Sequence, residues 1–287
     1  MNKPPRLAII IPSLRGVPQA LLDSISHQTV APDEIEVVIG VSPNGRARNI
    51  GVARTTSDIL LFVDDDAVLA HSHVIETMLP LLQDDEIGVV GASRLVPPDA
   101  PSFQQRVARQ VARIDNPVVH EPLETNPDPP LYSSQITTTC AAIRREVFQQ
   151  AGGFSETLIR SVDPEFFHRV RQFGYRFILA PDAWVWHPAP STLWELGKKH
   201  FLYGLGHAQA TQLHAELARY TERYPILHFV LRTLAAPLQV FVSYSFGDPQ
   251  LRLTLAPLKA VASYASAIGY FYGRVFAPFP EATTDGE

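Results

Sequence analysis

The chain has 287 residues, 46% of them hydrophobic, enough to bury a full core in one large domain or in one domain plus an appendage. A net charge of −5, a pI of about 6.1 and the lack of any long basic run argue against nucleic acid as a partner. The single cysteine, Cys140, excludes an intrachain disulfide and any cysteine-rich zinc site.

The first apolar run, Leu7 to Ile11, is too short for the core of a signal segment and is cut by Pro12. It reads as the first strand of a cytoplasmic protein. Pro18 to His27 has helical spacing, with Leu21, Leu22 and Ile25 on one side. Ile35 to Val41 reads as a second strand, Ala47 to Thr55 as a short helix and Ile59 to Val63 as a third strand. Val74 to Gln83 follows as helix and Ile87 to Ser93 as a fourth strand. Strands alternating with helices imply an α/β domain with a mixed, mostly parallel sheet flanked by helices. Ligands of such sheets sit beyond the carboxyl ends of the strands, where Pro12-Ser13, Ser42-Pro43-Asn44 and Asp64-Asp65-Asp66 all fall.

Residues 97–131 are rich in proline and poor in apolar residues outside Phe103 to Ile114, which predicts a surface excursion. Order resumes at the threonine-rich stretch Ser134 to Ile143, followed by a helix from Arg145 to Gln150 that stops at Gly152-Gly153. Pro164 to Phe173 is predicted helical, and Tyr175 to Leu179 and Ala183 to Trp186 are predicted strands. Beyond Pro190 the chain reads as helical up to a polar tail after Pro280. No stretch reaches the ~20 apolar residues that span a bilayer. The closest are Ile226 to Phe246, broken by Arg232 and Pro237, and Leu253 to Phe279, broken by Pro257, Lys259 and Arg274. Both are poor in acids, and they fit core helices, a subunit contact or helices lying on a membrane surface.

The densest chemical signal is Asp64-Asp65-Asp66, which ends the apolar strand Ile59 to Val63. Three adjacent carboxylates repel one another, and a divalent cation removes that cost. Alternate residues of a strand face the same way, so Asp64 and Asp66 can address one ion while Asp65 points elsewhere. Such hard oxygen ligands suit Mg²⁺ or Mn²⁺, which usually also hold a substrate diphosphate. The competing reading is a solvated acidic turn.

Three further stretches carry candidate chemistry. Arg46 and Arg48, with Asn49 and two glycines, lie at a strand-to-helix turn, where guanidinium groups and free amides suit phosphate. Asp163 precedes Pro164 and fits either a helix cap or a general base that takes a proton from a hydroxyl. His187 closes the last predicted strand and can complete a site begun by two carboxylates.

Taken in order, these stretches resemble the inverting, GT-A-fold glycosyltransferases of family 2 over about residues 6–205. The resemblance rests on the strand into Pro12, the Arg48-Asn49-x-Gly51 element, the aspartate triplet, Gly152-Gly153-Phe154, the acidic motif at Asp163 to Arg169 and the Pro181-Asp182…His187 ending. It implies a Rossmann-like GT-A catalytic domain over 1–205 and a helical extension over 206–287 that contacts another subunit or a membrane surface. It implies a nucleoside-diphosphate sugar held by Pro12, Ser13, Arg46, Arg48, Asn49, Asp64 and Asp65. It further implies a Mn²⁺ or Mg²⁺ ion on Asp64, Asp66 and His187, a base at Asp163, and a glycan or lipid-linked acceptor at the inner face of the membrane. Lys198, Lys199 and Tyr203-Gly204 lie where members often carry a mobile segment over the diphosphate.

Two positions depart from the family. Ile39-Gly40-Val41 stands where an aspartate normally contacts the nucleobase, so the base is left open. Val162 replaces the expected glutamate of the acidic motif, and Glu165, two residues beyond Asp163, becomes a second candidate base. Residues two apart on a helix face different ways, so one of the two acts. Trp184, Trp186 and Trp194 are candidate stacking walls for sugar rings. Two alternatives stand beside the transferase. Asp64 to Val68 also fits the nucleophile motif of haloacid-dehalogenase-like phosphatases, although that motif normally follows the first strand. A non-catalytic sugar-nucleotide or glycan-binding protein is the other.

Overall fold

The computed structural model describes residues 5–111, 114–125, 136–240, 243–245, 248–252 and 256–277. The proline-rich stretch beyond Thr125, Ser134, Phe246, Leu253 and the polar tail lie outside the described residues. The chain divides into two compact units, one of residues 1–109, 113–157 and 162–189, the other of 110–112, 158–161 and 190–287. The change at Pro190 precedes the boundary expected at 205, which falls inside one continuous helix.

The first unit carries β1 (Leu7–Ser13), α1 (Gln19–Ser26), β2 (Glu34–Ile39), α2 (Asn44–Ala53), β3 (Ile59–Val63), β4 (Val68–Leu69), α3 (Val74–Met78) and β5 (Ile87–Leu95). After a helix at Ser102–Gln110 (α4) come β6 (Leu123–Glu124), β7 (Cys140–Arg144), α5 (Arg145–Gln150), α6 (Val162–Gln172) and β8 (Arg176–Trp186). The sheet order is β2-β1-β3-β7-β5-β8-β4, with β6 on β8. β1, β2, β3, β5 and β8 run one way, and β7, β4 and β6 run against them.

β3 is buried at every position, which is why Ile-Leu-Leu-Phe-Val reads as an unbroken apolar run. Its two faces feed two cores. Ile59, Leu61 and Val63 join Ile9, Leu21, Ile25, Val74 and Met78. On the opposite face Phe62 meets Phe154 edge-on at 5.1 Å, and Phe154 lies 4.4 Å from Phe166 of α6. Those aromatic contacts fasten α6 and the Gly152-Gly153 loop beneath the strand ends.

The helix predicted from Val74 to Gln83 tightens to a 3₁₀ turn at Leu79–Gln83, where Pro80 removes a backbone donor. The two strands predicted around Pro181 are one strand, β8. Its register against β5 shifts between Gly91 and Ser93, and Asp182 takes φ 49, so a bulge absorbs the extra residues. α6 begins at Val162, which puts Asp163 inside its first turn rather than at a cap.

The second unit contains α7 (Leu193–Leu213), α8 (Pro225–Gln239), a short hairpin of Ser243–Ser245 and Asp248–Arg252, and α9 (Pro257–Val275). α7 and α9 run parallel and touch backbone to backbone at glycines. A Cβ on Gly204 would strike the carbonyl of Ser266, and one on Gly269 the carbonyl of Phe201. α8 packs through Phe229, stacked 4.9 Å from Phe271, and through Arg232, which donates to Ser263 Oγ at 2.7 Å. No helix among the described residues is long and apolar enough to cross a membrane. Gly204→Ala or Gly269→Ala is expected to destabilise this unit by about 1–3 kcal/mol through overpacking, seen as a lower urea midpoint with an unchanged slope.

Candidate active site

The sheet delivers its polar residues to one end. β1 ends at Ser13, whose Oγ donates to Asp65 Oδ2 at 2.7 Å. That bond turns Asp65 toward a pocket of about 150 Å³ lined by Ser13, Arg15, Gly16, Val17, Pro18, Asp65 and Asp66. Pro12 is buried in the strand behind it.

Asp64 faces the other way, and both of its oxygens are engaged. Arg48 Nη2 lies 2.9 Å from Oδ1, and Thr139 Oγ1 donates to Oδ2 at 2.9 Å. Arg94 of β5 reaches the hydroxyls of Thr137 (3.2 Å) and Thr139 (3.4 Å), bracing the residues that precede β7. Arg48 is buried, with its guanidinium 5.4 Å from the Phe154 ring centre. Its neighbour two positions back, Arg46, is turned by the helix to solvent. Gly45 is required here because a Cβ would collide with the Ser155 carbonyl.

Asn49 has a different task. Its Nδ2 donates to the Phe154 carbonyl and to Glu156 at 2.9 Å each, and its Oδ1 accepts from Phe154 N at 3.0 Å. It clamps the loop after Gly153 to α2.

Asp66 is 44% exposed, with Oδ1 3.2 Å from His187 Nε2 at the end of β8. One ligand atom each from Asp64, Asp66 and His187 lies within 4.8 Å of the others. Asp65 is turned out of this trio by its bond to Ser13, and the triplet lies past the end of β3 in a turn rather than in the strand. Two carboxylates and an imidazole form a mixed oxygen–nitrogen donor set that fits a divalent ion such as Mn²⁺.

Asp163 stands in the first turn of α6. Burial pushes its carboxyl above the ordinary value, against the Arg48 charge, and the Asp64 carboxylate adds to the rise. Backbone N–H groups, including that of Thr138, donate to it and oppose the rise. Glu165 is bound differently: Arg169 Nε and Nη2 grip its two oxygens at 2.7 and 2.9 Å. The same guanidinium donates to the carbonyls of Ala151 and Gly153, so the pair locks the glycine loop to α6.

Trp184 and Trp186 are half-buried neighbours on one face of β8, and Trp184 lies 4.5 Å from the His71 ring. Trp194, Lys198, Lys199 and Tyr203-Gly204 belong to the second unit. Thr139 and Arg94 were not among the residues singled out from sequence. The signal available was the Thr137-Thr138-Thr139 run directly before an apolar strand.

Residues 5–201 match the family model described as glycosyltransferase-like family 2. An O-antigen chain rhamnosyltransferase of Salmonella typhimurium is 25% identical over 230 residues, covering 71% of this chain and 73% of the relative. A second, from Salmonella anatum, is 26% identical over 202 residues, covering 66% of this chain and 62% of that one. Among solved structures, a mannosyltransferase from Pyrobaculum calidifontis in complex with GDP-Man and Mn²⁺ has a TM-score of 0.58 at 16% identity, over 93% of this chain and 87% of that one. The likeness is one of fold, which is GT-A.

The raised Asp163 pKa has a stability consequence. With the folded value above the ordinary 3.8, this group favours the fold below about pH 4, and that contribution is lost as pH rises through the folded value. Asp163→Asn is therefore expected to match the parent in urea midpoint near pH 4 and to exceed it at neutral pH.

Proposed function

The chain belongs to the glycosyltransferase-like family 2, and from that premise we propose that it is a metal-dependent, inverting enzyme moving a sugar from a nucleoside diphosphate to a hydroxyl of a glycan or lipid-linked acceptor. The observation that carries this reading is the juxtaposition of Asp64, Asp66 and His187 with a half-buried acid, Asp163, that senses the charges of Arg48 and Asp64. A divalent ion on Asp64, Asp66 and His187 supplies positive charge for the leaving diphosphate. Mn²⁺ is our preferred ion, supported by the donor set and by the fold neighbour's complex with GDP-Man and Mn²⁺.

The chain's own residues do the rest. The pocket beside Asp65 offers carboxylate acceptors to sugar hydroxyls of the nucleotide, with Ser13 in its wall and Pro12 in the strand behind it. Arg48 fixes Asp64, Asn49 fixes the loop behind it, and Arg46 stands exposed to meet phosphate. Asp163 takes the acceptor proton as that oxygen attacks the anomeric carbon, and the bond to the diphosphate breaks on the opposite face. One displacement inverts the centre. Glu165, engaged by Arg169, is the positioning partner in this scheme. Curated relatives named as O-antigen chain rhamnosyltransferases support a glycan acceptor; the inner face of the membrane is the location we propose for it.

The phosphatase alternative places its nucleophile after the first strand of its sheet, whereas Asp64 follows β3 and residues 5–201 match the glycosyltransferase family model, which argues against it.

In a panel of UDP, GDP, dTDP, CDP and ADP, one nucleotide is expected to raise Tm by several degrees with Mn²⁺ and not with chelator. No shift with any nucleotide would count against the donor site. In transfer assays, Asp163→Asn is expected to lower kcat by about 10²–10⁴-fold while keeping that thermal shift. Glu165→Gln is expected to lower thermal stability first; full stability with lost kcat would reverse the two assignments.

A further inference from the structure

Among the described residues, nothing covers the outer face of α8. Ile226, Leu227, Val230, Leu231, Leu234 and Leu238 follow helical spacing and are all exposed, Ile226 by 70% and Leu234 by 69%. Large aromatic residues flank the stripe: Tyr220 (76% exposed) and Tyr224 before it, and Phe276 (67%) after α9. A continuous apolar face of this kind marks a docking surface.

Charge identifies the occupant. Across 214–277 the cations are Arg219, Arg223, Arg232, Arg252, Lys259 and Arg274, against the carboxylates Glu216, Glu222 and Asp248. Glu222 is buried against His207 Nε2 at 3.0 Å. Arg223 and Arg274 line a cavity of about 500 Å³ with Thr211 and Glu216, and Glu216 has His214 Nδ1 3.7 Å away. A second copy docking through the same face would bring the same excess of cations and no net opposite charge, because a two-fold interface repeats one patch on both sides. An anionic bilayer supplies the opposite charge together with an apolar interior for the leucines, and tyrosines favour its boundary.

We propose that the second unit docks on an anionic phospholipid surface, with the leucine and isoleucine stripe of α8 entering the headgroup boundary and Arg223 and Arg274 receiving lipid phosphate. This surface is independent of the transfer reading, since vesicle binding requires neither donor nor turnover.

The test is sedimentation of the full chain with vesicles of pure phosphatidylcholine and of equal parts phosphatidylcholine and phosphatidylglycerol. Binding to the mixed vesicles alone, weakened by salt, is expected. Arg223→Gln and Arg274→Gln should each weaken it about five-fold. Ile226→Gln with Leu234→Gln should weaken it about ten-fold or more, without lowering Tm, because both side chains are exposed. The nucleotide thermal shift should survive in every variant, which separates a failure here from a failure of the donor site. A chain that stays in the supernatant with both vesicles overturns the proposal, as does binding unchanged by the substitutions. A dimer in analytical ultracentrifugation that Ile226→Gln with Leu234→Gln converts to monomer also overturns it, by assigning the face to a subunit contact.

Discussion

The side chain of Arg48 is 5% exposed, and a charge in such a place is tolerable only beside an opposite one. Asp64 provides it at 2.9 Å, and much else is arranged so that this contact can form. α2 must lie close to the Gly152-Gly153 loop, which Gly45 permits by carrying no side chain against Ser155. Phe154 must sit under the guanidinium, and Asn49 holds that loop by three hydrogen bonds. Removing Asp64 would leave the buried Arg48 guanidinium without its counter-charge, at a cost of about 3–5 kcal/mol.

That contact also explains why the aspartate triplet divides its work. Asp64 is pinned by Arg48 and Thr139, and Asp65 is turned aside by Ser13. Asp66 is the most exposed of the three, and His187 reaches it from the far strand. The pinned residue gives the site its position, and the open one gives it access. Both oxygens of Asp64 retain a second lone pair, so its protein contacts do not prevent it from facing an ion.

Much of this was legible in the residues. β3 and α5 fall at Ile59–Val63 and Arg145–Gln150, as their apolar run and flanking glycines predict. Strand alternation does not reach the triplet, because Asp64 to Asp66 lie in a turn beyond β3, and it is that turn which brings Asp64 and Asp66 near His187. The Thr137-Thr138-Thr139 run was less informative, because threonine before a strand is equally a matter of β-propensity, and its hydroxyls find Arg94 and Asp64 only in three dimensions. A one-dimensional pattern also cannot say which apolar helix is covered. Glycines bring α7 and α9 together, while α8, similar in composition, keeps its outer leucines in solvent. Pro181-Asp182 looked like a break between two strands because a bulge and a break use the same residues.

The pair Asp163 and Glu165 could not be separated by composition, yet one clue was in the spacing. Arg169 follows Glu165 by four residues, the interval at which helical side chains meet, whereas Asp163 has no such partner downstream. In three dimensions that interval becomes a bidentate ion pair with a structural task, tying α6 to the glycine loop. Asp163 is left half-buried beside one positive and one negative charge, and desolvation wins over the attraction of Arg48. A carboxylate so placed costs the fold something at neutral pH and holds a proton more readily than a solvated one. The two acids thus receive opposite environments from neighbours four residues and one strand away, and the one that burdens stability is the one suited to chemistry.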